Sequence, residues 1–416
     1  MRILVVTQMF WPENFRINDL VAGFVDRGHD VVVLTGLPNY PAGKLFPGYG
    51  HRGPWTETYA GARVLRVPLI PRGAAGGVEL AINYLSFALA ASVIAPLRCR
   101  GPFDAIFVYE PSPVTVCLPA IVLKKLLHAP IFFWVLDLWP DSIRAVGAIR
   151  SEAALTAISR MVRFIYHACD WILVQSPAFT EEIEKFGVDA RKILFFPSWA
   201  DQVFATPAKP TNLLQDLPPG RRIMFAGNIG AAQDFPAVID AAEILKGRPD
   251  LQWIIVGDGR MASWARAEVA RRGLHNIHFW GSHPIESMPA ILSAADILLV
   301  SLRADPVFER TIPGKIQAYL ASGRAIIGML KGAGASVIDE SGAGLTCAPG
   351  DPQGLAEAAV RMADMSVQQI AALGRAGRAY YERHFERDML FDRLEAWMKG
   401  RDLPDMHDSR PTLMQE

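Results

Sequence analysis

Cysteine is scarce in this chain, with four in 416 residues. Cys99, Cys117, Cys169 and Cys347 stand far apart, with no C-x-x-C pair and no histidine at ligand spacing, which argues against a zinc site and against a disulfide framework. They read as small buried apolar side chains. An excess of either charge is also lacking: 42 Lys and Arg balance 42 Asp and Glu. No overall basic field draws nucleic acid, so any anion site has to be local. None of the nine histidines falls into a triad or a metal spacing. The opening "MRILVVTQMF" lacks a small-residue cleavage site, and its apolar run is short and β-branched, so it is expected to be a first strand and not a signal peptide.

Long apolar runs are missing too, with one exception. Residues 78–97, "VELAINYLSFALAASVIAPL", have about the length that spans a bilayer and are followed by Arg98 and Arg100. Glu79 and Asn83 interrupt the run, and no second such segment accompanies it. The expectation is a helix that is buried or lies on a membrane surface, its arginines among the headgroups of a cytoplasmic leaflet.

What is present is the composition of a globular enzyme, 51% hydrophobic and 20% charged, at a length that suggests two domains. Apolar strands alternate with helical patterns from the start: "RILVVT", "VVVLT", "RVLRVP", "AIFVYE", "IFFWVLD" and "WILVQS" are separated by helix-length segments. This predicts a doubly wound parallel α/β sheet. After "KILFFPS" the pattern gives way to the Pro-rich "TPAKPTNLLQDLPPG", a linker. A second series follows, with "RIMFAG", "WIIVGDG", "IHFWG", "ILLVSL", "AIIGML" and "LTCAP" as strands. The expected division is a first domain over 1–205, a linker over 206–220, a second domain over 221–384, a helix over 385–400 that folds back to the first domain, and a polar tail over 401–416. Two such domains are expected to face a shared cleft with the carboxyl ends of their strands.

"FAGNIGAAQDF", residues 225–235, ends a strand at Gly227, turns through Gly230 and starts a helix near Phe235. That aims backbone N–H groups and a positive helix end at one point, where phosphate is the natural ligand. Taken alone, the same residues also make an ordinary strand-to-helix turn. A second loop of this kind, "RTIPGKIQ", places Pro313 in a first helical turn, Gly314 where backbone can approach closely and Lys315 as a mobile charge. Two helix starts and a lysine suit a diphosphate. "VGDG" at 256–259, with Gly257, and "FWGSHP" at 279–284, with His283, end strands of the same sheet and would shape a pocket for an attached nucleoside.

In the first domain "FWPENFRIND" places Glu13, Asn14 and Arg16 where they would face the cleft, or else Asn14 caps a helix. "VLDLWPDS" offers Asp137, either as a capping residue or as the group that orients an acceptor hydroxyl, and Trp139 to line the acceptor side. "GLPNYPAGK" offers Asn39 and Tyr40 to the acceptor.

Together "RGHDVVVLTGLPNYPAGK", "DLWPDS", "AGNIGAAQ", "VGDG", "AADILLVSL", "PGKIQAYLASGRAIIG" and "GAGASVIDESGAGL" resemble, in this order, the group 1 (family 4) retaining glycosyltransferases of the two-domain GT-B fold. The likeness covers about residues 1 to 385 and leans toward the bacterial fucosaminyl- and fucosyl-type transferases of O-antigen and colanic acid synthesis. It implies an enzyme with two Rossmann-like domains that moves a sugar from a nucleotide diphosphate to an acceptor, with retention and without a metal or other cofactor. The donor would be a UDP-, GDP- or dTDP-sugar. The acceptor would be a polyprenyl-diphosphate-linked saccharide, with the membrane surface met by residues 78–97 and the protein peripheral on the cytoplasmic face of the inner membrane.

The resemblance also implies that Gly227, Asn228, Gly230 and Gln233 lie along the phosphates. Lys315 would neutralise charge on the leaving diphosphate, with Thr311, Pro313 and Gly314 in the same loop. Arg303 is a second candidate or a solvated loop arginine. Many members carry two glutamates eight residues apart here; in this chain Arg310 and Ala318 hold those places. Glu309 stands beside the first, and Gln317 is the nearest polar substitute for the second. A GT-B nucleotide-sugar epimerase and a non-catalytic nucleotide-sugar-binding module are the alternative readings. A nicotinamide enzyme is disfavoured, because "GAGASV" lacks the third glycine of a dinucleotide fingerprint.

Overall fold

The protein is represented by a computed structural model that describes residues 1–50, 52–74, 76–145, 149, 151–205 and 217–404. The expected linker lies, up to residue 216, outside the described residues, as does the tail from residue 405. Two compact units are present, Met1–Phe196 together with the chain from Phe391 on, and Pro197–Leu390.

The first unit is built on eight strands: β1 (Arg2–Val6), β2 (Asp30–Gly36), β3 (Thr56–Tyr59), β4 (Ala62–Val67), β5 (Ala105–Glu110), β6 (Ile131–Val135), β7 (Trp171–Val174) and β8 (Ile193–Phe195), in the order β3-β4-β2-β1-β5-β6-β7-β8. All neighbours are parallel except β3 and β4, which form an antiparallel edge. The central strands are apolar without alternation because both faces are covered, and every residue of β5 and β6 is buried. The helices are α1 (Arg16–Asp26), α2 (Gly77–Arg98), α3 (Cys117–Leu127), α4 (Asp141–Ala145), α5 (Glu152–Ala168) and α6 (Ala178–Glu184). On one face of the sheet α2 packs on α3 and α3 on α5.

In the second unit six parallel strands, β9 (Arg221–Ala226), β10 (Leu251–Val256), β11 (Ile277–Gly281), β12 (Ile297–Ser301), β13 (Ala325–Met329) and β14 (Gly344–Cys347), run in the order β11-β10-β9-β12-β13-β14. The helices α7 (Phe235–Ile244), α8 (Ala262–Arg272) and α13 (Pro352–Ala363) pack together; α11 (Gly314–Ala321), α12 (Ala333–Ser341) and α14 (Val367–His384) form the other group, and α9 (Met288–Ser293) and α10 (Pro306–Arg310) are short connectors. The last helix, α15 (Arg387–Met398), starts in the second unit and from Phe391 belongs to the first. There Phe391 meets Phe24 edge-on at 5.5 Å and Arg27 pairs with Asp392 and Glu395.

In each sheet the strand order reverses once, between β1 and β5 and between β9 and β12, and the loops beyond those strand ends gather the candidate residues.

The helix predicted at 78–97 is α2, and its inner face explains Asn83. This buried amide accepts from Gln8 Nε2 (2.7 Å) and donates to the Ile70 carbonyl (2.6 Å), anchoring the helix over the ends of β1 and β4. Its outer face is different, since Val78, Ile82, Leu85, Leu89, Val93 and Leu97 are all exposed.

Candidate active site

Gly227 follows β9 with a φ of +138°, a region closed to other residues at low cost, and a Cβ there would lie 2.5 Å from Lys315 Cε. The strand end and the start of α11 therefore meet at a position that has room only for hydrogen. Gly257, at the end of β10 with a φ of +133°, packs on the Gly227 carbonyl in the same way, and a Cβ on it would run into that oxygen. The turn then closes on itself: Gly230 N–H donates to Gln233 Oε1 (3.1 Å) and Gln233 N–H to the Gly230 carbonyl (3.1 Å). Ser301 Oγ, at the end of β12, donates to the Gln233 carbonyl (2.7 Å), and Arg303 N–H to the Ala232 carbonyl (2.9 Å), so the turn is pinned across the point where the strand order reverses.

Lys315 is the second residue of α11. Its ammonium sits 3.7 Å from the centre of the buried Phe225 ring, beside Gly227. Burial pushes its pKa down to about 7, with no other cause contributing. Among the described residues no carboxylate offsets this desolvation, and a cation so held over an aromatic face is poised to take an anion. One helical turn on, Tyr319 is buried; its hydroxyl accepts from Ala226 N–H (2.9 Å) and donates to the Ala226 carbonyl (3.2 Å), fixing α11 to the last residue of β9. The sequence reading did not single out Tyr319, Phe225 or Ser301. Their signal was positional: Tyr319 lies four residues from Lys315 on the same helix face.

The remaining donor-side candidates divide. Asn228 is exposed on the glycine turn, and Gly314 opens α11 where a Cβ would meet open space. Pro313 precedes the helix as its N-cap residue, one position earlier than expected. Arg303 lies next to the turn with its side chain half-exposed and 3.5 Å from Asp305. Glu309 abuts the start of α12, its carbonyl against Gly332 and its carboxylate 3.9 Å from Lys331. His283 is tied through Nε2 to the Trp280 carbonyl (3.1 Å), and Thr311 spends its hydroxyl on the Val307 carbonyl (3.0 Å). Gln233 lies in the turn as expected by position and uses its side-chain oxygen to close it. One expectation is corrected. Gln317 is buried, and its amide nitrogen, in the orientation that satisfies both ends of the group, donates back to the carbonyls of Pro313 (2.8 Å) and Gly314 (3.3 Å), so it does not face the turn.

The first unit corrects two more. Glu13 does not face outward: it is buried, and its oxygens accept from the backbone N–H groups of Phe10 (3.1 Å), Asn39 (2.7 Å) and Tyr40 (2.6 Å), tying the loop after β1 to the loop after β2. Burial raises its pKa against those three bonds. Asn39 is buried as well, donating to the Leu37 carbonyl (3.0 Å) and accepting from Arg72 N–H (3.1 Å). Asn14 is exposed and does not cap α1, whose N-cap position is Phe15; Arg16 begins the helix.

Asp137, beyond β6, is held by the Trp139 indole N–H (3.1 Å), and burial raises its pKa. Beneath it lies a carboxyl that the sequence reading passed over. Glu110 is fully buried at the end of β5, with Oε2 facing the N–H groups of Leu136 (3.4 Å) and Asp137 (3.3 Å). Burial first, and Asp137 second, push it well above the usual carboxylate range. Trp139 also meets Tyr84 of α2 at 6.2 Å, and Tyr40 carries the Arg72 guanidinium 5.0 Å above its ring. Tyr40, Arg72, Tyr84, Asp137 and Trp139 thus form a polar and aromatic patch at the amino end of α2.

Comparison with known proteins follows the same division. Residues 14–199 match the Glycosyl transferase 4-like domain and residues 220–365 match Glycosyl transferases group 1. The chain is 24% identical over 295 residues to the "Probable glycosyltransferase WbjE" of Pseudomonas aeruginosa, covering 68% of this chain and 72% of that protein. It is 26% identical over 342 residues to the "Putative colanic acid biosynthesis glycosyl transferase WcaI" of Escherichia coli, covering 79% and 83%. Among solved structures, Anabaena Alr3699/HepE in complex with UDP superposes with a TM-score of 0.68 at 14% identity, over 96% of this chain and all of that one. An α,α-trehalose-phosphate synthase of Burkholderia vietnamiensis superposes with a TM-score of 0.71 at 16% identity, over 97% and 98%. The chain is a group 1 glycosyltransferase of the GT-B fold, a 4-like domain followed by a group 1 domain.

Proposed function

We propose that the protein transfers a sugar, with retention of configuration and without a metal, from a nucleoside diphosphate donor to a lipid-linked saccharide in bacterial surface polysaccharide synthesis. The sugar is of the deoxy or N-acetylamino kind, as in the fucosaminyl- and fucosyl-type transferases that the sequence resembles. The observation that carries this reading is Lys315: a desolvated ammonium set against a glycine turn at the point where the second sheet reverses. A diphosphate placed there would receive the ammonium and the open N–H groups at the start of α11. As the acceptor oxygen bonds to the anomeric carbon and the bond from that carbon to the diphosphate breaks, negative charge grows on the departing oxygen. Lys315 then stabilises the leaving group more than the intact donor, which is what accelerates the step. The Anabaena structure with UDP supports a nucleotide donor, and the colanic acid relative supports polysaccharide synthesis.

On the acceptor side Asp137 orients the incoming hydroxyl and Trp139 and Tyr40 offer ring faces to a saccharide. The protein sits on the cytoplasmic face of the inner membrane with α2 toward the lipid. The test is turnover: a nucleoside diphosphate is released from one of the UDP-, GDP- or dTDP-sugars only when a lipid-linked acceptor is added. Tight nucleotide binding with no release under any pairing of donor and acceptor would instead mark a binding module.

A further inference from the structure

At the exit of β6 one buried residue holds the backbone that carries Asp137. Glu110, the last residue of β5, is fully buried. Its carbonyl accepts from Leu136 N–H (3.1 Å), and its side-chain Oε2 faces the N–H groups of Leu136 (3.4 Å) and Asp137 (3.3 Å). Asp137 itself is half-buried and takes three donors on its carboxyl: the Trp139 indole N–H (3.1 Å), the Ser112 hydroxyl and the Leu138 N–H. Ser112 lies just beyond Glu110 in the chain, so the loops after β5 and β6 are both engaged on this one carboxyl.

Glu110 lacks what a buried carboxylate needs. Glu13, in the same unit, accepts from three N–H groups at 2.6, 2.7 and 3.1 Å with Arg66 acting on it, the surroundings of a charged acceptor. Glu110 has two longer bonds, and its Oε1 is buried without a hydrogen-bond partner among the described residues. The titratable groups that face it are Tyr84 of α2, Tyr109 beside it in β5, Cys117 of α3, Tyr166 of α5 and Asp137, none of them a cation. Arg72, Arg16 and Lys124 act on Tyr84, Tyr109 and Cys117, and Asp141 on Tyr166, each a step removed from Glu110. An ionised Glu110 would stand desolvated beside Asp137, and two adjacent carboxyls without a cation do not both ionise.

We infer that Glu110 is a positioning residue for Asp137: it works as an uncharged acid that clamps the end of β6 and leaves the negative charge to Asp137, where the acceptor hydroxyl is oriented. This rests on the acceptor-side reading of Asp137 above and adds the group through which that role is set. Asp137 is the more exposed of the two and has the three donors on its carboxyl, so the charge settles there. A second charge beneath it would drive Asp137 to keep its proton.

Infrared difference spectra, amide exchange and pH profiles of the full chain test this. At neutral pH the spectrum of the wild type minus that of Glu110→Gln should contain the C=O stretch of a protonated carboxyl; a carboxylate band in its place would overturn the inference. Peptides over residues 136–139 should exchange their amide hydrogens about tenfold faster in Glu110→Ala and at the wild-type rate in Glu110→Gln, whose amide oxygen can still accept both N–H bonds. Turnover of a nucleotide sugar with a lipid-linked acceptor should fall on the acid side as Asp137 takes up its proton, and Asp137→Asn should lower turnover and remove that limb. Glu110→Gln should keep the limb in place and kcat within about threefold, because one uncharged group replaces another, while Glu110→Ala should cut kcat about tenfold or more with the donor KM unchanged. A limb that moves by about one pH unit toward acid in Glu110→Gln would show that a negative charge had been removed, against the inference. Equal loss in both Glu110 variants, or loss in neither, would overturn it too. Infrared and exchange need no turnover, which separates the two levels: an ionised Glu110 sinks this inference alone, whereas no turnover with any donor and acceptor sinks the transferase reading and leaves the clamp on Asp137 supported by the other two measurements.

Discussion

At Lys315 the decisive quantity is desolvation. Lys315→Met should reduce turnover by about a hundredfold or more, the size expected for losing one preorganised charge at a developing oxyanion. Folding should not suffer. The folded-state pKa near 7 lies below the value near 10.4 of an exposed lysine, so between those values the unfolded chain holds the proton and the folded one does not. Stability from this group is therefore lowest below pH 7 and rises as pH increases from about 7 to about 10. Chemical denaturation across that range should show the rise in the wild type and lose it in Lys315→Met. Gly227→Ala should abolish nucleotide binding while leaving most of the fold, because its methyl lands 2.5 Å from Lys315 Cε at a φ of +138°.

These residues were legible because glycine and lysine stand out between apolar runs. Glu13, Asn39 and Gln317 were not: a polar side chain just beyond a strand, or in the first turns of a helix, is as ready to bind nearby backbone as a ligand, and sequence order does not reveal which backbone folds beside it.

Among the elements, α11 depends on Tyr319. Tyr319→Phe removes both bonds to Ala226 and leaves a buried N–H without its partner, a cost of about 1–3 kcal/mol. A larger proportional loss should appear in nucleotide affinity, measured by titration, since the same bonds hold Lys315 against the strand end. The strands of both sheets were readable from apolar runs between turn signals, as were most helices. The edge strand β3, "TETY", was not, because a short polar antiparallel edge has neither the run nor the alternation. Nor was α14, whose "LGRAGRAY" carries two glycines inside a helix. Gly374 and Gly377 explain them: a Cβ on the first would strike the backbone of Gly323, and one on the second would come within 2.9 Å of Ala343 and Leu320. Close packing, not a break, is what those glycines serve.

For the whole molecule, the two-domain α/β architecture followed from length and from the repeated alternation of strands and helices. The return of the chain end to the first unit rests on residues whose apolar pattern is short. Removing the chain after Leu390 takes away Phe391, Leu394 and Trp397, all buried, each worth about 1.5–3 kcal/mol. Thermal unfolding of the truncated chain should show the first unit melting early and nucleotide binding unchanged. The most direct test of the central claim, that Lys315 receives a diphosphate, is the proton balance of binding. Titration calorimetry with UDP, GDP and dTDP at pH 8 in buffers of different ionisation enthalpy should show at least one nucleotide binding with uptake of a proton, and no uptake in Lys315→Met. Binding with no proton uptake by the wild type, or the same uptake by the variant, would contradict it.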